Sequence, residues 1–123
     1  MFRVTFLLNA RGESAALNYI LSLKEKSDKS SRIKYNKIND YLTALSNYGL
    51  KNPEKIIKHL IDDIWELRPL RDRFLFAPDS DSFIILHWFR KKSRKTPKKE
   101  IEKAKLGLSY YLEQEVNNDA KDK

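Results

Sequence analysis

Arg71, Arg73, His87 and Phe89 lie in two short β-type runs whose spacing could bring them onto one surface. Arginine presents a planar, permanently charged fork that suits phosphate, and histidine changes charge near neutral pH. An aromatic ring beside them offers a base a surface to stack on. Directly after Phe89 comes a basic block. Arg90, Lys91, Lys92, Arg94, Lys95, Lys98, Lys99, Lys103 and Lys105 stand against Glu100 and Glu102, a net +7 over residues 90–105. The whole 123-residue chain carries +8, so residues 1–89 (+3) and 106–123 (−2) are closer to balance. A charge placed so locally favours a polyanionic partner, nucleic acid first. A solvated basic face is the plainer alternative.

A hairpin must position these groups. Arg73 to Ala77 and Phe83 to Phe89 read as strands, and Pro78-Asp79-Ser80-Asp81 between them supplies turn chemistry. Closure around 79–80 puts Arg73 opposite or near His87 and Arg71 near Phe89. Period-two alternation then places Arg71, Arg73, His87 and Phe89 on one face, with Phe74, Phe76, Ile84, Leu86 and Trp88 turned toward a core. A preceding strand over Ile64–Arg68, ended by Pro69, packs Trp65 and Leu67 and leaves Glu66 and Arg68 on the polar side. The last helix begins with Thr96 as cap and Pro97 in the first turn, and its apolar face is Ile101, Ala104, Leu108, Tyr111 and Leu112. Lys98 and Lys99 sit where a helix end is already positive, an unfavourable placement of about 0.3–1 kcal/mol per charge. A bound phosphate would relieve it; screening by salt is the alternative.

The remaining segments build a scaffold. Phe2–Leu8 reads as a strand, and Ala15 to about Lys26 as a helix carrying Leu17, Ile20 and Leu21. After the polar turn at Ser27–Ser31, a second helix aligns Tyr35, Ile38, Leu42, Leu45 and Tyr48 and stops at Gly49. Asn52-Pro53-Glu54 signals a short helix carrying Ile56, Ile57 and Leu60. The predicted order is β, α, α, short α, β, β, β, α. That is an α+β fold in which an N-terminal helical hairpin packs on a small antiparallel sheet, with a C-terminal helix. Residues 1–123 form a single domain, with a polar, frayed tail from about Asn117.

Composition excludes other chemistries. With no cysteine, disulfide scaffolds, thiol catalysis and Cys-ligated zinc are ruled out, and two histidines argue against a His-rich metal site. No cofactor or metal is expected. The longest apolar run, Phe83–Leu86, is strand-sized, and Met1–Leu8 is too short for a signal-peptide core, so a cytoplasmic protein without a membrane partner is expected. No glycine-rich phosphate loop, HExxH helix or Gly-x-Ser-x-Gly elbow is present, and Ser93 has no base-plus-acid arrangement nearby. Asp62-Asp63 reads as a solvated turn, and His59 as a surface residue of the short helix.

The assembled residues resemble a known family. Trp65-Glu66-Leu67-Arg68-Pro69, then Asp72-Arg73-Phe74, then Leu86-His87-Trp88-Phe89-Arg90-Lys91-Lys92-Ser93-Arg94-Lys95-Thr96-Pro97 with Glu100-Ile101 and Ala104, are similar to the HigB-like branch of the RelE/ParE toxin superfamily. The matching stretch covers about residues 64–105; Asp63 and Trp88 stand where that pattern usually has small residues. The resemblance implies a RelE-like fold and the toxin of a type II toxin–antitoxin pair. It implies a metal-independent endoribonuclease that cuts messenger RNA on the ribosome and so inhibits translation. It also implies a cognate antitoxin, in this branch commonly with a helix-turn-helix DNA-binding domain.

Carried onto this chain, that chemistry needs a base for the 2′-hydroxyl proton, an acid for the leaving oxygen and cations for the extra negative charge. Arg68, Arg73 and Lys92 are the candidates to cradle the phosphate, and His87 is the candidate acid/base or orienting group. Phe89 is placed to stack on an unpaired base. Arg71, Lys91, Lys95, Lys98 and Lys99 are the candidates to hold RNA backbone. Two rival readings use the same block differently: a ParE-like toxin acting on DNA gyrase, and a non-enzymatic nucleic-acid-binding module.

Overall fold

Five strands form one sheet whose two faces are covered by different helices. In the computed structural model the backbone of residues 1–121 and the side chains of residues 1–118 are described. The elements are β1 (Arg3–Phe6), α1 (Ala15–Glu25), α2 (Lys29–Tyr48), a short 3-10 turn (Gly49–Lys51), β2 (Ile57–Ile61), β3 (Ile64–Leu67), β4 (Asp72–Asp79), β5 (Ser82–Arg90) and α3 (Lys98–Lys121). The sheet order is β1-β5-β4-β3-β2. The helix therefore covers Asn117 onward as far as Lys121, and 122–123 lie outside the described residues.

The helical hairpin forms as its sequence signals require. Ser14 caps α1 by accepting the Leu17 N–H at 3.1 Å, and Asp28 caps α2 by accepting the Ser31 N–H at 3.0 Å. Ala16, Ile20 and Leu23 of α1 and Ile38 and Leu45 of α2 then meet Leu67, Phe74, Phe76, Phe83 and Ile85 in the main core. On the other face α3 lays Ala104 and Leu108 over Ile64, Leu75, Leu86 and Phe89.

Two expectations are corrected. The segment read as a short helix is an edge strand. Ile56 and Ile57 N–H both bond to the Pro53 carbonyl, so the proline opens a single turn, after which β2 pairs antiparallel with β3. Spacing cannot separate helix from strand in so short a run, and β3's free edge decides the outcome. His59 is accordingly on a strand, exposed as expected, with its Nε2 2.7 Å from the Asp62 carbonyl. The sheet is also mixed rather than antiparallel: β1 runs parallel to β5, matching Arg3–Phe6 with Ser82–Ile85. The long connection between them, through α1, α2 and three strands, permits a pairing that no turn could make.

Gly49 fixes where the first strand meets the second helix. It has φ +57° and ψ −136°, outside the left-handed helical region and open in practice only to glycine. A Cβ there would lie 2.6 Å from Cε2 of Phe2. Phe2 is stitched to the same place, its N–H donating to the Ser46 carbonyl and its own carbonyl accepting from Ser46 Oγ, both at 2.7 Å. Gly49→Ala is expected to lower stability by about 1–3 kcal/mol in urea unfolding. Gly12→Ala, at φ +77° but in open space, is expected to cost less; equal losses would mean that the Phe2 contact is irrelevant.

Candidate functional site

The site is built on one face of β3, β4 and β5. In the β4–β5 ladder Asp79 pairs with Ser82 across a two-residue turn, Phe76 with Ile85, but Leu75 with His87. One residue of β5, Leu86, is therefore extra: a β-bulge. Before it Phe83 and Ile85 face the α1/α2 core; after it Trp88 does. The bulge thus turns His87 and Phe89 to the opposite face, level with Leu75 and Arg73.

This corrects the expected register while keeping its main consequence. Arg73 lies opposite Phe89 rather than His87, and Arg71 is level with Lys91, whose N–H donates to the Arg71 carbonyl at 2.7 Å. Relative to the expected Arg73–His87 pairing, the turn at Ser80-Asp81 shifts β5 by one residue and the bulge by a second. Two slips restore the alternation, so Arg73, His87 and Phe89 still share a face. Ile84 and Leu86, near the bulge, do not face the core with Trp88: Leu86 packs under α3, and Ile84 pairs with Ala77 on the Leu75 side.

Glu66 is the centre of the arrangement. Its side chain is 3% exposed, with Oε1 3.4 Å from Arg68 Nε and 3.7 Å from Arg73 Nε. Its other oxygen accepts a short hydrogen bond from Thr96 Oγ1. Thr96 therefore does not cap α3, the role read from its position; its hydroxyl ties the basic loop to the sheet. Arg73 is buried too, donating through Nη1 to the Leu70 and Asp72 carbonyls, both at 2.9 Å. Burial pulls its pKa below the ordinary arginine value against the pull of Glu66, yet an arginine stays charged. A buried carboxylate between two guanidiniums is what makes that charge tolerable. Glu66 was legible only as a polar-face residue, because nothing local reveals that its partners arrive from β4 and from a loop thirty residues on.

Arg73, Phe89, Lys91, Lys92 and Lys95 line one small pocket with Glu66, roofed by the loop to Pro97; its free space, about 10 Å³, holds about one water. Arg68 joins this group through Glu66 and also donates to the Glu54 carbonyl at 3.1 Å. Arg71 stands apart, lining an open cleft of about 530 Å³ with Arg90, Lys91 and Lys92. Lys98 and Lys99 are exposed at the start of α3.

His87 lies toward α3, with Nε2 3.0 Å from Glu100 Oε1 and its ring stacked near Phe89 at 6.0 Å between centroids. Glu100 is a partner the sequence reading missed, since Leu75 and His87 of the sheet meet α3 only after folding. Burial alone would raise the Glu100 pKa, but the hydrogen bond and charge of His87, with Lys103 and Lys99, outweigh it and hold the carboxyl below its ordinary value. On the opposite face Tyr19 stacks on Trp88 at 3.8 Å and donates to Asp72 Oδ2 at 2.7 Å, bracing the ends of β4 and β5. Burial, then the Asp72 bond, push the Tyr19 pKa up.

Comparison with known proteins gives the family. Residues 19–108 match the family model described as phage derived protein Gp49-like (DUF891). The chain belongs to this Gp49-like family. The matched span runs from Tyr19 of α1 through the sheet to Leu108 of α3, and so includes every candidate site residue. Among solved structures, the YoeB-YefM complex from Staphylococcus aureus contains a chain of similar fold, with a TM-score of 0.52 at 13% identity, covering 76% of this chain and 99% of that one. No curated protein sequence matches significantly. Among the described residues, no helix is long and apolar enough to cross a membrane.

Because the folded-state pKa of Glu100 lies below its unfolded value, its stabilisation is complete above about its ordinary value of 4.5 and is lost as pH falls through the folded value. Glu100→Gln is therefore expected to be less stable than the native chain at pH 7, with the difference shrinking below pH 4.5. Thermal unfolding across pH 3–7 measures it; a difference independent of pH would contradict a stabilising His87–Glu100 contact.

Proposed function

We propose that this Gp49-like protein is the toxin of a type II toxin–antitoxin pair, of the HigB-like kind, and cuts messenger RNA on the ribosome without a metal. The carrying observation is the sheet face shared by Arg73, His87 and Phe89, with Lys92 of the basic loop joining Arg73 and Phe89 in one pocket. The fold shared with a chain of the YoeB-YefM complex supports the toxin reading and, with it, an antitoxin partner. The run from His87 to Pro97 supports the HigB-like assignment.

In this reading the RNA 2′-hydroxyl attacks the adjacent phosphorus. Its proton passes to a base, and the 5′-oxygen leaves with a proton from an acid. Arg73 supplies charge from beneath, Lys92 from the rim, and Arg68 through the shared Glu66 carboxylate, where the pentavalent phosphorane gathers negative charge. Glu66 is a positioning residue that keeps both guanidiniums aimed. His87, oriented by Glu100, moves the proton, and Phe89 stacks on an unpaired base. The pocket is too small for a phosphoryl group as it stands, so the loop of residues 91–97 opens to admit one; the Thr96–Glu66 bond is the latch. Lys91, Lys95, Lys98, Lys99 and the Arg71–Arg90 cleft hold the flanking phosphates.

Induction of the chain alone, with messenger 5′ ends mapped, tests the reading. Cuts in translated frames are expected, and His87→Gln should slow them about 10²–10⁴-fold. Lys92→Ala and Arg73→Ala should abolish them, with circular dichroism confirming that the buried Arg73 site still folds. Growth arrest with intact messengers and damaged DNA would instead establish a gyrase toxin. In vitro, the double variant Lys98→Ala, Lys99→Ala should reduce the salt slope of RNA binding by about one per lost phosphate contact.

A further inference from the structure

One strand of the sheet outruns its neighbour. β1 pairs with β5 only over Ser82–Ile85, and the last bond on that side runs from the Leu7 N–H to the Ile85 carbonyl at 2.9 Å. β5 continues to Arg90. Lys91 N–H bonds to Arg71, so in an antiparallel ladder His87 and Phe89 exchange backbone bonds with β4, while Trp88 and Arg90 direct theirs away from it. Among the described residues no strand pairs with Trp88 or Arg90 on that side. Such an edge is a template for another chain.

The space beside it is shaped for one. After Leu7 the main chain leaves the sheet in a turn in which Asn9 Oδ1 accepts from Arg11 and Glu13 N–H at 2.8 and 3.1 Å. A groove of about 460 Å³ remains where β1 would have continued, between the start of α1 on one side and α3 on the other. Ala16, Leu86, Trp88, Leu106 and Tyr110 give it mainly apolar walls. Gly107 lets α3 close onto the inner wall: a Cβ there would lie 3.0 Å from Leu7 Cδ2 and 3.7 Å from the Leu86 carbonyl oxygen.

We propose that this groove receives an extended, acidic peptide segment of a protein partner, which pairs with Trp88–Arg90 as an added strand in line with β1. Bare amides and carbonyls in alternation call for a strand, whereas a sugar–phosphate chain offers acceptors but no regular donors. Apolar walls suit alternate side chains of such a peptide. Glu13 is the one acid lining the groove, so the peptide's own acids belong at the end of β5, where Arg90 and Lys91 open into the basic block. A peptide there lies against the strand that carries His87 and Phe89, so it is placed to block RNA. That the segment belongs to the antitoxin rests on the toxin reading; the docking itself does not require RNA cleavage.

The test is a selection of displayed twelve-residue peptides on the purified full-length chain, followed by amide hydrogen exchange with the best peptide. Enriched sequences should alternate apolar and acidic residues, and binding should slow exchange at Trp88 and Arg90 at least tenfold. Ala10→Glu, at an exposed position on the groove rim, should weaken the peptide at least tenfold and leave binding of a single-stranded uridine oligonucleotide unchanged. No enrichment, peptides of helical period, binding indifferent to Ala10→Glu, or protection of the Trp88 and Arg90 amides by the oligonucleotide instead would each overturn the proposal. Peptide binding retained by a chain that leaves messengers intact would refute only the messenger-cleavage reading.

Discussion

A single extra residue in β5 organises this molecule. Without the bulge at Leu86 the alternation of Phe83 and Ile85 would carry His87 into the main core and Trp88 onto the face of Arg73. Burying a histidine against Phe74 and Phe76 would leave its polar nitrogens unpaired, at a cost of about 1–3 kcal/mol. With the bulge, Trp88 closes the α1/α2 core and stacks on Tyr19, while His87 and Phe89 turn toward α3 and the basic loop. The same region marks the end of β1 pairing, since the parallel ladder stops at Ile85. One irregularity thus aims the candidate catalytic groups and leaves the neighbouring strand edge open.

Glu66 meets the second constraint, which is electrostatic. A net +7 gathered over residues 90–105 repels itself and repels Arg68 and Arg73 beneath it. The buried carboxylate is shared among two guanidiniums and the Thr96 hydroxyl, and Glu100 does the same for His87 and Lys103. Each acid joins a strand residue to the loop or helix that follows. The basic block is therefore held against the sheet by two carboxylates, with its lysines left in solvent.

Much of the scaffold was legible because it rests on local physics. The Ser14 and Asp28 caps, the stop at Gly49, the Trp65/Leu67 against Glu66/Arg68 alternation and the turn chemistry before Ser82 all act within a few residues of themselves. The grouping of Arg73, His87 and Phe89 was legible for a different reason. A late turn and a bulge each slipped the hairpin by one residue, and two slips leave the alternation unchanged. Residues 53–61 misled because a proline turn and apolar positions at 56, 57 and 60 fit helix and strand equally well. Thr96 misled because a threonine before a proline is an ordinary cap signal, whereas here the hydroxyl finds a buried carboxylate.

By itself, then, the sequence determined the α+β class, the helical hairpin and the position of the basic block. These follow from periodicity, capping and charge, which are short-range. Tertiary structure decided the parallel docking of β1 on β5, β2 as a strand, the role of Glu66 as a shared counter-ion and the pairing of His87 with Glu100. Each depends on groups far apart in the chain competing for one place on the sheet. Such a competition is settled by the hydrogen bonds and buried charges of the folded whole, and no local preference records it.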